Sequence, residues 1–311
     1  MIAWISEHIQ ETALYRFLKG VEYFFYPLYL HFQHINAHKP KEPGIQVRSD
    51  NKTEVIVSLT SFPDRMPYIH RCLYSLMNQN VHPHRIILWL AKEQFPNGMN
   101  DIPEKVQELQ PLGLEIRWVK DDLRSYKKLL PALHAFPDAI IVTADDDLYY
   151  PVDWLNSLLS SYKKQPHCIH SQLITRLGMN KDGIIDQIPR TAEMNDTSSY
   201  FNKLLGGSGT LYPPHVLNSE VFNLDVMRQT APSSDDVWFW AMAVMNRTKI
   251  HWIPNHMGTL VYLEHTQEDT PTLSSINDKS ENGFTKHINA VADYYHLKDI
   301  LVSELHSGPN Y

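Results

Sequence analysis

The chain is poor in cysteine, with two thiols, Cys72 and Cys168, among 311 residues. They lie far apart with no CxxC or CxxH spacing, so neither a disulfide framework nor a zinc site is indicated, and a reducing, cytosolic setting is expected. A basic excess is missing as well. The formal charge is −7 and the isoelectric point near 6.2, which argues against nucleic acid as the main partner, because a phosphate backbone is held by clustered Lys and Arg. No apolar run reaches the ~18 residues of a membrane span, and no signal-peptide layout, internal repeat or low-complexity segment is visible. The segment Leu59-Thr60-Ser61-Phe62-Pro63-Asp64-Arg65 lacks glycine. Dinucleotide folds and P-loops cradle phosphate in a Gly-rich backbone loop, so both classes are disfavoured.

What is present supports a large core: 43% of residues are hydrophobic and 20% charged. The first forty residues are rich in aromatics, densest at Tyr23-Phe24-Phe25-Tyr26-Pro27-Leu28-Tyr29-Leu30. Glu22, Pro27, His31 and His34 interrupt that stretch. It predicts a helical N-terminal extension, docked on the main domain or a partner subunit, or else lying along a membrane surface at its cytoplasmic face. Pro40 to Asp50 reads as a linker, which divides the chain into an extension with linker, 1–50, and a main domain, 51–311.

From Glu54 onward strand and helix patterns alternate. Val55 to Leu59, Arg85 to Leu90, Leu114 to Val119 and Ala139 to Thr143 read as strands. Ile69, Cys72, Leu73, Leu76 and Met77 recur at helical offsets. Repeated βα units predict an α/β fold with a mostly parallel central sheet flanked by helices. After it come a helix from Pro151 through Tyr162, a strand near His170 to Ile174, and a long polar stretch from Gly178 to Tyr200 of the kind that forms binding loops.

The most informative segment is Asp145-Asp146-Asp147, which follows Ala139 to Thr143 directly. Ligands of α/β sheets bind at the carboxyl ends of strands. Three adjacent carboxylates repel one another unless a hard cation or hydrogen-bond donors offset the charge. In an extended chain Asp145 and Asp147 would share one side and Asp146 the other. Mg²⁺ or Mn²⁺ held by one or two carboxylates keeps positions open for water and phosphate, so the triplet points to a metal-assisted diphosphate ligand.

Other segments gain meaning beside the triplet. Thr60, Ser61 and Arg65 stand at the first strand's end and offer hydroxyls and a guanidinium to a nucleotide, with Asp64 available to a base or ribose. Lys127-Lys128 open a helix one strand before the acids; alone they read as solvated surface charge, and near the acids as diphosphate ligands. Gly206-Gly207-Ser208-Gly209 sits between apolar residues and predicts either close backbone approach to a ligand or a tight turn with positive φ. Asp235-Asp236 precede an aromatic helix with Ser233 or Ser234 as candidate cap, and either acid is a candidate general base or a simple capping residue. His256 reads as a surface histidine, with no acid or His at ligand spacing beside it.

The segments VSLTSFPDR, YKKLLPAL, TADDDLYYP, LLGGSGTLYPP and SSDDVWFW, in this order across roughly residues 54 to 260, resemble nucleotide-sugar glycosyltransferases of the GT-A fold, family-two-like, and among them bacterial surface-polysaccharide enzymes. The resemblance implies that the triplet is a DXD-type motif, with Asp147 and Asp145 on Mn²⁺ or Mg²⁺ and Asp145 and Asp146 toward the donor nucleotide. It implies a donor or acceptor pocket bordered by Gly206, Gly207, Ser208, Gly209 and Trp238. Asp236 would be the base, although the family's usual Glu-Asp is Asp235-Asp236 here and leaves the two interchangeable. A UDP-sugar donor, a glycan or lipid-linked acceptor and inverting hexosyl transfer follow from the same resemblance. Two other functions remain open. Sugar nucleotidyl transfer usually needs a Gly- and Lys-rich loop after strand one, which is missing. A non-catalytic carbohydrate-binding or scaffolding protein would use Trp238 and Trp240 against sugar faces.

Overall fold

The computed structural model describes residues 13–47, 53–189, 198–253, 260–267 and 283–307. Helix α1, Ala13–Phe32, leads into a turn-rich segment that reaches the main domain. Four strands then form half of an eight-stranded sheet: β1 Val55–Thr60, β2 Arg85–Ala91, β3 Leu114–Val119 and β4 Ile140–Thr143. β1, β2 and β4 carry the β-branched and apolar residues that favour a sheet covered on both faces, and β3, with Glu115 and Arg117, is a half-buried edge. The connections bring in helix α2, Ile69–Met77, and helix α3, Leu130–Ala135.

Beyond β4 the described chain forms β5 Leu148–Tyr149, helix α4 Trp154–Lys164, β6 Ile169–Ser171, β7 Ile174–Met179, β8 Ile185–Gln187, β9 Ser198–Ser199, β10 Asn202–Leu204 and β11 Thr210–Tyr212. Helix α5, Leu224–Thr230, and helix α6, Asp235–Met245, precede β12 Ile250–Trp252 and β13 Val261–Tyr262. Helices α7, Gly283–Tyr294, and α8, Leu297–Ser307, follow them. The large sheet runs β3-β2-β1-β4-β11-β6-β12-β9. Its β2–β3, β1–β2, β1–β4 and β6–β12 pairings are parallel, and β11 runs antiparallel between β4 and β6. The mostly parallel sheet is therefore as expected, with β11 reversed at its centre and β9 reversed at its edge, antiparallel to β12.

Two features differ from the expectation. The single strand near His170 to Ile174 is two strands, β6 and β7, separated by Gln172 and Leu173, and they enter different sheets. The polar stretch after Gly178 is partly ordered as a hairpin, with Gly178 opposite Asp186 and Met179 opposite Ile185. Strands of three residues are too short to reveal a period of two.

One core layer packs α2 and α4 against the sheet, with Ile56 and Ile141 facing the opposite layer built around α6. Helix α6 is apolar on nearly every side, Trp238, Phe239, Trp240, Ala241 and Met242 all being buried. Such a helix belongs inside. Its first two residues, Asp235 and Asp236, are thereby fixed in space.

Candidate functional site: two acid clusters joined by one lysine

The site forms at the carboxyl edge of β1 and β4. These strands pair in parallel with Ser58 opposite Thr143, so residues three further along each strand, Ser61 and Asp146, emerge as neighbours. The Ser61 hydroxyl donates to Asp146 Oδ2. Pro63 presets the 3-10 turn Pro63–Arg65, and that turn buries Arg65. Its guanidinium lies 2.7 Å from Asp147 Oδ2 and 3.7 Å from Asp146 Oδ1. These are ion pairs without hydrogen-bond alignment. Asp147 also accepts from Gln267 Nε2 at 2.9 Å, and its carbonyl accepts from Leu263 N at 2.8 Å. The segment carrying β13 thus straps the turn through its pairing with β5.

Asp145 turns elsewhere. Its Oδ1 sits 2.8 Å from Lys128 Nζ, and its backbone N–H donates to the Tyr150 hydroxyl, which in turn donates to Gly207 O at 2.6 Å. The alternation expected of an extended triplet is corrected here. The chain leaves strand geometry at Ala144 and turns at Asp146-Asp147, so Asp146 and Asp147 share Arg65 while Asp145 faces Lys128. A period of two holds only inside a strand.

The lysines separate in the same way. Lys127 Nζ pairs with Asp122 and with Gln94 Oε1, away from the triplet. Lys128 Nζ reaches Asp145 and, at 3.1 Å, Asp235 Oδ2. Burial opposes its charge, but Asp145, Asp235 and Asp236 outweigh that and hold its pKa well above the ordinary value. Lys128 therefore ties the triplet to the second acid pair.

The glycine segment completes the connection. Gly206 N donates to Asp236 Oδ1 at 2.9 Å. A Cβ on Gly207 would lie 2.3 Å from Asp145 Oδ2, and one on Gly209, at φ +102°, would strike the Trp154 indole. The turn is thus glycine because it packs against the protein's own acids and against Trp154. Ser208 serves this turn, accepting from Leu173 N and donating to Leu205 O. Gly207→Ala is expected to displace Asp145; overpacking typically costs ~1–3 kcal/mol, about five- to 150-fold if it falls on nucleotide affinity. Calorimetry on the folded variant checks this, and unchanged affinity would contradict it.

Not every candidate residue joins the site. Trp238 is corrected: it is fully buried, its indole N–H bonded to Val221 O, so it packs the core and borders no pocket. Trp240 is equally buried and donates to Tyr200 O, which removes the sugar platform of the scaffold reading. Asp64 lies exposed on the 3-10 turn, and the Thr60 hydroxyl donates to Trp89 O. Ser234 occupies the cap position of α6 without a capping bond and instead contacts His287 Nδ1 at 2.8 Å. His256 lies outside the described residues. Tyr150, Lys203 and Gln267 are site residues that the sequence reading missed. Tyr150 had a signal in its closeness to the triplet, whereas Lys203 and Gln267 had none.

Charge is unbalanced at this edge. Asp145, Asp146, Asp147, Asp235 and Asp236 contribute −5, and Arg65, Lys128 and Lys203 contribute +3, leaving −2. Burial and the neighbouring Asp147 push Asp146 up to about 7. Burial and Asp235 push Asp236 up to about 6. Above these values, with every carboxyl ionised, the formal excess of two negative charges fits a divalent cation. Among the described residues no three His, Cys, Asp or Glu side chains converge into a cage; Mg²⁺ and Mn²⁺ can be held by one or two carboxylates completed by water and phosphate.

The raised values have a thermodynamic consequence. A carboxyl group whose pKa is higher folded than unfolded stabilises the fold below its unfolded pKa, and that contribution is lost as pH rises through the folded value. Asp146 and Asp236 therefore predict a melting temperature in EDTA that falls across the window from about pH 4 to 7 and recovers at its upper end with Mn²⁺. A melting temperature flat across that window, with and without metal, would contradict it.

No protein-family model and no curated protein matches the chain. Solved structures do. The chain is similar to the S. aureus TarS 1-349 structure in complex with UDP-GlcNAc, with 12% identity and a TM-score of 0.50 over 81% of this chain and 72% of that one. It is also similar to the mannosyltransferase PcManGT from Pyrobaculum calidifontis in complex with GDP-Man and Mn²⁺. There the identity is 12% and the TM-score 0.46, over 100% of this chain and 87% of that one. The fold is of the GT-A glycosyltransferase type.

Proposed function

We propose that this protein is a metal-dependent glycosyltransferase that moves a sugar from a nucleoside-diphosphate donor to an acceptor hydroxyl with inversion. The observation that carries the reading is the meeting of two acid sites at the sheet's carboxyl edge, with Lys128 touching both. One site suits a diphosphate and the other a proton transfer.

The residues divide the work as follows. Asp147, on the Arg65 side of the turn, and Asp145, on its Lys128 side, would be the carboxylates for Mn²⁺ or Mg²⁺, and the metal would supply neutralising charge for the departing diphosphate. Arg65 and Lys128 hold fixed positive charge against Asp147 and Asp145, and Ser61 orients Asp146. Asp236 takes the proton of the acceptor hydroxyl. Its value near 6 keeps it mostly ionised at neutral pH yet basic enough to accept a proton. Asp235, engaged by Lys128, supports it from the preceding position. UDP is the favoured nucleotide, supported by the UDP-GlcNAc complex of the similarly folded TarS.

The test is release of UDP from UDP-sugars with Mn²⁺, with and without glycan acceptors. A binding module releases none, and absence of release from every donor tried would return the scaffold reading to the front.

The acceptor is a glycan or lipid-linked glycan of bacterial surface-polysaccharide type, met at the cytoplasmic face of a membrane. Helix α1 supports this placement. Val21, Phe24, Phe25, Leu28, Tyr29 and Phe32 are exposed at offsets of three and four and form one apolar stripe. The other side of α1 is held to the body, where Tyr26 donates to Tyr262 O and its ring meets Tyr149, two residues past the triplet. No described helix is long and apolar enough to cross a membrane. A stripe lying in the interface satisfies both facts. The double variant Phe24→Ser, Phe32→Ser is expected to weaken sedimentation with phosphatidylglycerol vesicles by about tenfold or more, since each buried Phe contributes ~1.5–3 kcal/mol. Equal sedimentation of variant and parent would contradict the membrane contact.

A further inference from the structure

No sequence motif marks Lys203, but its surroundings are unusual. It lies in the middle of β10, three residues before Gly206, with a side chain only 5% exposed. Its ammonium stands 3.9 Å from Asp236 Oδ2, 3.3 Å from Leu204 O and 5.3 Å from the centre of the Phe284 ring on α7. Removing an ammonium from water costs several kcal/mol unless close, aligned partners replace the water. A charge-assisted bond of the strong kind is about 2.7–2.9 Å long, and none of these contacts is that short. A buried charge so incompletely compensated is better explained by its effect on a neighbour than by its own stability.

That neighbour is Asp236. Among the described residues, the groups that face it are Asp235 on its own helix, Lys203 on β10, Lys128 and Tyr126 on the turn before α3, Tyr212 on β11, and the Gly206 N–H. Asp235 repels it, and Lys128 is engaged by Asp145 and Asp235. Resting on the reading of Asp236 as the base, we propose that Lys203 is a positioning residue that holds Asp236 ionised and so sets the acidic limb of the transfer reaction. The influences on Asp236 agree with the geometry. Burial and Asp235 push its pKa up, and Lys203 pulls it down more strongly than Lys128 does. The effect is mutual, because burial lowers the pKa of Lys203 while Asp236 and Asp235 oppose that fall.

The test compares the parent chain with Lys203→Met, which keeps side-chain length without charge, and Lys203→Arg, which restores the charge. The first readout is the titration of the Asp236 carboxyl by ¹³C NMR, assigned by its loss in Asp236→Asn. The second is the pH dependence of UDP release from UDP-GlcNAc with Mn²⁺. The proposal predicts that Lys203→Met raises the Asp236 midpoint by about one unit or more, tenfold in proton affinity, and moves the acidic limb of the rate with it. Lys203→Arg is expected to bring both back. An unmoved midpoint in folded Lys203→Met overturns the proposal. A midpoint that rises while the rate limb stays in place shows that the ion pair exists but Asp236 is not the base, which overturns the catalytic role and the base assignment together. A uniform loss of rate at every pH, with the midpoint unmoved, marks a merely structural lysine.

Discussion

Asp236→Asn is expected to lower sugar transfer by ~10²–10⁴, the usual worth of a positioned general base, while nucleotide binding stays close to that of the parent chain. The split follows from the geometry. Asp236 is the second residue of α6 and accepts from Gly206 N at 2.9 Å, whereas Asp145, in the triplet, is held by Lys128 at 2.8 Å. Asparagine keeps the shape and can still accept the Gly206 bond, so the turn should hold. It cannot take a proton. The buried helix α6 holds the backbone of this position in place. Asp235 is the alternative, but its Oδ2 is already at 3.1 Å from Lys128. Rates and nucleotide affinities of Asp235→Asn and Asp236→Asn, measured side by side, separate the two. Transfer at the parent rate by Asp236→Asn would remove it from the base position.

Lys128→Met should be the most damaging single change to the fold of the site. Breaking a buried ion pair by removing one partner typically costs ~3–5 kcal/mol, because the other charge stays buried without compensation. Here two partners, Asp145 and Asp235, lose their cation at once. Asp145 is 37% exposed and water will screen part of its charge, which places the expected loss near the lower end, about 3 kcal/mol. For a domain of this size that is a fall of roughly 6–12 °C in melting temperature. Mn²⁺ should recover more stability in the variant than in the parent, since the charge deficit it meets is larger. Transfer should fall too, because the proposed donor site loses the lysine that joins its two acid groups. Unchanged melting, with and without metal, would show that Lys128 does not balance these acids.

Much of the fold could be read from residues. Val55 to Thr60, Arg85 to Ala91, Leu114 to Val119 and Ile140 to Thr143 are β-branched, apolar and bounded by turn residues, and each is a strand within a residue of where the pattern ends. Such buried parallel strands advertise themselves by composition. The short strands β6 to β10 do not, because two to six residues with mixed burial carry little periodicity. The reversed direction of β11 was hidden for a different reason. Strand direction is set by long-range pairing, and neither Thr210 nor Leu211 carries a local mark of it.

The site was legible as parts and not as an arrangement. Three aspartates after a buried strand, a lysine pair, a glycine cluster and an acid pair could each be found by type. Nothing in the sequence says that Lys128, and not Lys127, reaches both acid groups, since adjacent residues on a tight turn point in different directions. The glycine cluster misled in part. Its freedom is used against Asp145 and Trp154 within the protein. Trp238 misled fully, because an aromatic residue beside an acid pair looks like a sugar platform until the helix is seen to be buried all round.

Titration calorimetry of the full chain with UDP, GDP and CDP, each in Mn²⁺ and in EDTA and repeated on Asp147→Ala, asks whether the acid triplet holds a nucleotide through a metal. One nucleotide, UDP first, is expected to bind in Mn²⁺, to bind far more weakly in EDTA, and to lose its metal dependence in Asp147→Ala. Binding of no nucleotide under any of these conditions, or binding indifferent to both metal and Asp147, would contradict it.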